Sequence, residues 1–289
     1  MSFVYLNGQI IPEEDARISV FDAGFAHAAG LFETMRAYRG VVMRLERHVQ
    51  RLLQSAATLE LHVAVDAERL ADAVRDVLRA NELREARLRL IVTPGEVPRA
   101  GQADQRPPEP TVFATASPVT SHPAEDYAKG WRVCISPYKT SRLDPLAGHK
   151  TLAYLPRLMA MREAAGRRCK EALWFTTENQ LAEGSISNVF IVVDGTILTP
   201  PVTTPILAGT VRTAVIELAA TNRLPLEERV IDIELLLSAQ EVFLTGSVLE
   251  IMPVTAIEKH TVGDGRPGAV TRRLMDLYKH LVEKECGRE

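Results

Sequence analysis

Three dipeptides constrain this chain most. Asn7-Gly8, Arg39-Gly40 and Asp194-Gly195 each sit between two short runs of apolar or alternating residues. Asn-Gly and Asp-Gly are the strongest signals for a two-residue hairpin turn, whose central residues take positive φ. The three sites predict antiparallel pairs: Phe3–Leu6 with Gln9–Ile11, Glu33–Tyr38 with Val41–Arg44, and Asn188–Val193 with Thr196–Leu198. Further strand runs are read at Arg87–Val92, Thr111–Ala116, Trp131–Ser136, Ala172–Thr176, Arg229–Ile233 and Glu241–Leu244. Two-residue turns join antiparallel strands, whereas parallel strands need a long crossover. The pattern therefore predicts an α+β fold and argues against a doubly wound parallel sheet.

Helices are read from apolar spacing. Leu45, Val49, Leu52, Leu53 and Ala56 share one face of a helix over about Leu45–Leu59. Leu70, Val74, Val77 and Leu78 do the same from about Asp66, an N-cap, to Asn81. Others are expected at Tyr154–Ala165, Thr210–Ala220 and Ala269–Glu283. Pro156 fits only in the first turn of its helix. Pro98–Pro110 is rich in Gly, Gln and Pro and reads as a surface loop. The polar stretch Ser117–Gly130 is the candidate linker. The organisation expected is a small domain over 1–117, a linker over 118–127 and a larger domain over 128–289.

With 289 residues, 46% apolar and a net charge of −3, the chain can bury a sizeable core and is not disordered as a whole. Its 34 basic and 37 acidic residues are spread evenly, so a polybasic nucleic-acid surface is not expected. The longest apolar stretches, such as Val189–Val193, fall far short of the ~20 residues that span a bilayer. Neither a nucleic-acid partner nor a membrane is expected. Cys134, Cys169 and Cys286 are scattered and odd in number, which fits a reducing cytoplasm. The seven histidines show no paired helical spacing for a metal. Gly263 to Gly268 matches G-x-G-x-x-G, but only 21 residues follow it, too few for a β-α-β unit, so it reads as a loop.

Five segments carry the chemistry. Gly148-His149-Lys150-Thr151 sets a lysine ahead of an apolar helix, and Glu183-Gly184-Ser185-Ile186-Ser187-Asn188 sets an acid ahead of an apolar strand. Leu207-Ala208-Gly209-Thr210-Val211-Arg212 opens a helix, Thr245-Gly246-Ser247 ends a strand, and Arg51 lies on a first-half helix. Singly, each has an ordinary reading: a solvated lysine, a turn glutamate, a strand-end serine. Together they can hold a phosphorylated aldehyde cofactor. The helix opening at Thr210-Val211 offers unpaired N–H groups to a phosphate, and Gly209 allows close approach. Ser247 adds a hydroxyl and Arg51 a charge-assisted bond. A buried lysine can form an imine, and Glu183 can keep a ring nitrogen protonated.

With Gly30-Leu31-Phe32-Glu33-Thr34-Met35-Arg36 and the segment Thr245 to Val254 added, the order of these motifs resembles the class IV (fold-type IV) pyridoxal-phosphate enzymes over nearly the whole chain. That family includes branched-chain aminotransferases, D-amino-acid transaminases and aminodeoxychorismate lyases. The resemblance implies a two-domain α+β fold, with a small N-terminal α/β domain and a larger, barrel-like C-terminal domain. It implies pyridoxal 5'-phosphate as cofactor and, usually, a homodimer. Lys150 is similar to the family's Schiff-base lysine and Glu183 to the partner of the ring nitrogen. Arg51, Gly209, Thr210, Val211 and Ser247 resemble the phosphate cup. The activity implied is ping-pong transfer of an amino group between an amino acid, or primary amine, and a 2-oxo acid.

The amino donor stays open between branched-chain and D-amino acids. The Tyr-x-Arg-Pro run of branched-chain members is replaced by Arg87-Leu88-Arg89-Leu90. Arg99 matches the carboxylate-gripping arginine of the D-amino-acid enzymes, but Gly101 replaces their histidine and Phe32 their tyrosine. Arg36, His27 and Gly246 are further candidates for substrate contact. A lyase that releases pyruvate to give 4-aminobenzoate, and a non-catalytic cofactor-binding protein, are the alternatives.

Overall fold

The computed structural model describes residues 2–97, 109–120 and 122–287. The chain forms two compact units. One comprises Met1–Thr120, His149–Ala153 and Lys284–Glu289; the other comprises Ser121–Gly148 and Tyr154–Glu283.

The first unit runs β1 (Phe3–Leu6), β2 (Gln9–Pro12), α1 (Ala23–His27), β3 (Leu31–Tyr38), β4 (Val41–Val42), α2 (Leu45–Thr58), α3 (Ala67–Ala80), β5 (Ala86–Thr93) and β6 (Thr111–Pro118). Its six strands form one antiparallel sheet in the order β2-β1-β6-β5-β3-β4. At the β1–β2 turn Asn7 and Gly8 take φ of 49° and 97°, as the hairpin signal requires. Alternation then sets the two faces. Met35, Leu88, Leu90 and Ala114 pack against Leu52, Val74 and Val77 of α2 and α3. Phe32, Arg89, Ile91 and Phe113 belong to the opposite face, because the register pairs Phe32 with Ile91 and Ile91 with Phe113. Asp66 caps α3 by accepting from Arg69 N–H at 2.7 Å.

The second unit runs α4 (Ala124–Lys129), β7 (Trp131–Thr140), α5 (Leu155–Gly166), β8 (Glu171–Thr176), β9 (Leu181–Gly184), β10 (Asn188–Val193), β11 (Thr196–Thr199), α6 (Thr210–Thr221), β12 (Leu226–Glu228), α7 (Ile233–Leu237), β13 (Glu241–Gly246), β14 (Glu250–Ile257), β15 (His260–Thr261) and α8 (Ala269–Cys286). Its strands form a nine-stranded mixed sheet in the order β12-β11-β10-β13-β14-β7-β8-β9, with β15 paired to β14. The sheet curls into a half-barrel. The fold is α+β, as expected. No helix among the described residues is long and apolar enough to cross a membrane.

Two local readings change and one holds. Arg229–Ile233 is not a strand: the parallel pairing of β12 to β11 stops at Glu228. Asp232 then caps α7, accepting from Leu235 N–H at 2.8 Å. The second half of the Arg39-Gly40 hairpin is only Val41–Val42, because Arg44 already takes a left-handed backbone to open α2. Gly263 to Gly268 is indeed a loop, between β15 and α8. A Cβ on Gly268 would meet the Glu241 side chain at 1.9 Å.

Candidate active site

The first unit supplies the lysine. The Lys150 carbonyl accepts from Phe32 N–H, and Leu152 N–H donates to the Gly30 carbonyl, both at 2.9 Å. Leu31 and Thr151 form an antiparallel bridge. The backbone on both sides of the lysine is thereby pinned to the start of β3. The Lys150 ammonium lies 4.6 Å from the centre of the buried Phe32 ring, and the Arg89 guanidinium lies 3.8 Å from the same centre. Two basic side chains thus meet one ring. His149 Nδ1 is 3.0 Å from the Ser55 hydroxyl of α2.

Arg51 lies beside this segment in a charged cluster. Its Nε donates to Glu33 Oε1 at 2.8 Å and its Nη2 to Oε2 at 2.5 Å, a side-on fork. His48 Nδ1 is 2.8 Å from the same Oε2. Burial alone would push the Glu33 carboxyl up. The Arg51 charge and then His48, with hydrogen bonds from both, hold it down at about 2. Burial lowers the pKa of His48 against the pull of Glu33. A neutral His48 beside an acceptor-only carboxylate must carry its proton on Nδ1.

The second unit supplies the acid and a helix start. Glu183 is nearly buried. Its Oε1 accepts from Arg157 Nη2 at 2.6 Å, and its Oε2 accepts from Leu207 N–H at 2.9 Å. Gly209 caps α6 with no side-chain acceptor for the first N–H groups, and Thr210 and Val211 behind it are buried. A Cβ on Gly209 would fall 1.9 Å from Asn188 Oδ1, so the glycine is required by the Asn188 side chain. Asn188 in turn donates to the Leu207 carbonyl at 2.8 Å. Glu171 anchors the turn after Glu183. It accepts from Ala172 N–H, Ser185 N–H and the Ser187 hydroxyl at 2.9–3.1 Å. Burial pushes its carboxyl up against those donors. Ser247 and Gly246 are half-buried at the end of β13. Beside them the Thr245 hydroxyl is buried with no hydrogen-bond partner among the described residues.

The structure thus brings Phe32 to Lys150, and joins Glu183 to the Gly209 turn through Leu207. Arg36 lies 4.4 Å over the Tyr38 ring and His27 is exposed at the end of α1. Arg99 lies outside the described residues. Arg89, Glu33, His48, Arg157 and Glu171 were not singled out from sequence. The alternation Arg87-Leu88-Arg89 could have placed Arg89 on the face of Phe32. No sequence signal ties Arg157 to an acid 26 residues later. Cysteine chemistry is disfavoured, since burial pushes the Cys134 and Cys286 thiols up to about 12 and about 11.

The family model described as amino-transferase class IV matches residues 30–257. The chain belongs to the class IV aminotransferase family. This class IV aminotransferase is 35% identical to a Methanocaldococcus jannaschii protein provisionally named a branched-chain-amino-acid aminotransferase, over 97% of this chain and 96% of that protein. It is 29% identical to the D-alanine aminotransferase of Staphylococcus haemolyticus, over 98% and 99%. The crystal structure of the Thermobaculum terrenum branched-chain amino acid aminotransferase in its PLP form superposes with a TM-score of 0.87. Identity is 30%, over 98% of this chain and 94% of that one.

The residues present fit a phosphorylated pyridoxal. The first turn of α6 has N–H groups without a side-chain cap, the unpartnered Thr245 hydroxyl lies at the end of β13, and the Glu183 carboxylate has lone pairs beyond those used.

Proposed function

We propose that this class IV aminotransferase moves amino groups between branched-chain amino acids and 2-oxo acids. It is a pyridoxal-phosphate enzyme. When bound, that cofactor supplies a carbonyl that condenses with amines and a ring that takes up the electrons of a broken Cα–H bond. Lys150 holds the cofactor and its Nζ moves the proton at the substrate's Cα. Glu183 holds the proton on the ring nitrogen. The Thr210 and Val211 N–H groups, with Ser247 and Arg51, bind the phosphate.

One observation carries the substrate class: Arg89 and Lys150 share the Phe32 ring, at 3.8 and 4.6 Å. A guanidinium that meets the same ring as the amine supports a substrate that carries a carboxylate, hence an amino acid and not a simple amine. The Methanocaldococcus jannaschii relative supports the branched-chain donor. The Staphylococcus haemolyticus relative supports D-alanine as the second reading.

The functional unit of this proposal is a homodimer in the cytoplasm. Ile18, Val20, Phe21 and Phe25 are exposed in the first unit, and Leu155, Leu158 and Met159 on α5 in the second. Such apolar groups support coverage by a second copy. Three free cysteines support a reducing compartment.

The test is the visible spectrum of the holoenzyme with L-leucine, D-alanine or (R)-1-phenylethylamine added separately. L-Leucine is expected to convert the cofactor band to the pyridoxamine form, and Lys150→Ala to abolish the conversion. Conversion by D-alanine alone selects the second reading. Near-normal turnover by Lys150→Ala overturns the lysine assignment.

A further inference from the structure

The Arg157–Glu183 pair carries an inference that goes one step beyond the cofactor assignment and rests on it. Glu183 sits at 7% side-chain exposure, where a carboxylate is costly unless compensated. Arg157 compensates it at 2.6 Å through Nη2, while its Nη1 donates to the carbonyl of Gly184 at 2.8 Å. One guanidinium therefore grips the carboxylate and the backbone of the next residue together. The guanidinium itself is held: its centre lies 4.6 Å from the middle of the Trp174 ring. That indole donates to the Ser185 hydroxyl at 3.0 Å. Leu207 N–H occupies the other carboxylate oxygen. Each oxygen thus has one protein donor and keeps capacity for another.

We propose that Arg157 is a positioning residue which keeps Glu183 charged and fixed in one orientation, so that the shared proton stays on the cofactor's ring nitrogen. The balance involves one proton and two sites. Either the nitrogen is protonated and Glu183 is a carboxylate, or the nitrogen is neutral and Glu183 is a carboxylic acid. A cation on the carboxylate stabilises the first arrangement through its charge. Removing that cation lets the proton move to Glu183 and replaces a charge-assisted hydrogen bond by a neutral one.

The experiment loads the enzyme with pyridoxal phosphate labelled with 15N in the ring and records the nitrogen resonance. The wild type is expected at the pyridinium position. Arg157→Met is expected to move it toward neutral pyridine, while Arg157→Lys, which keeps the charge, stays near wild type. A second readout is the affinity for pyridoxal phosphate relative to its 1-deaza analogue, which has C–H in place of the ring nitrogen. That ratio is expected to fall about tenfold in Arg157→Met, the scale of a charged hydrogen bond. If circular dichroism shows that Arg157→Met does not fold, Arg157→Gln replaces it, since an amide can still donate but carries no charge. A resonance unmoved in the uncharged variant, but moved in Glu183→Gln, overturns the role of Arg157 and leaves Glu183 in place. A resonance unmoved in Glu183→Gln overturns the Glu183 assignment itself, and the proposal with it.

Discussion

Glu33 is fully buried yet charged, and the reason lies in two neighbours. A carboxyl held at about 2 against its ordinary 4.5 contributes about 3 kcal/mol to the folded state. Its folded pKa is depressed, so this stability is fully present above 4.5 and is lost as pH falls toward about 2. The pKa of His48 is also depressed, chiefly by burial, so its contribution begins to fade below 6.5. The melting temperature is therefore expected to fall gently in mild acid and more steeply below 4.5. Glu33→Gln, already less stable at neutral pH because Arg51 loses its counter-charge, is expected to lack the steeper step. Differential scanning calorimetry across pH checks this, and an identical acid profile in wild type and variant contradicts it. Lys150, Glu183 and the Thr210-Val211 helix start stand out in the sequence, because their types and order suit a phosphorylated aldehyde, and the proposed site is built on them. Glu33 was not, since nothing in a β-strand sequence says which buried position carries a paired charge.

Elements were legible where local geometry dictates them. Gly8 and Gly195 close their hairpins at φ of 97° and 77°, which few other residues accept. Asp66 caps α3 and Pro156 sits in the first turn of α5, both readable from spacing. The start of α8 depends on a distant strand. Glu241 of β13 accepts from Val270 N–H, Thr271 N–H and the Thr271 hydroxyl at 2.7–3.0 Å. Glu241→Ala is expected to cost about 1–2 kcal/mol, the range of a lost helix cap, and to lower the melting temperature with little change in fold by circular dichroism. An unchanged melting temperature contradicts the cap. The run Arg229–Ile233 misled because apolar content alone does not distinguish a strand from the approach to a capped helix. Its fate was settled by where β11 runs out of partners.

At the scale of the whole molecule, the exposed apolar residues remain. Leu155, Leu158 and Met159 are 63%, 51% and 40% exposed at i, i+3 and i+4 along α5, so they form one stripe. A monomer would leave that stripe in water, at roughly 25 cal/mol per Å² of apolar area. Light scattering on the purified protein is expected to give twice the chain mass, and Leu158→Asp to shift it toward the monomer. A wild-type mass equal to one chain overturns the dimer.

The sequence by itself determined the α+β class, the positions of the tight turns and the faces of the amphipathic helices, and it singled out the lysine, the acid and the helix start on which the proposed site rests. These follow from backbone sterics, periodicity and side-chain chemistry, which act over a few residues. The tertiary structure decided that Arg51 meets Glu33 and His48, that Arg157 grips Glu183, and that Gly209 makes room for Asn188. It also decided that Arg89 shares a ring with Lys150. These are pairings between residues 15 to 118 positions apart, set by sheet register and helix packing, and no local preference encodes them.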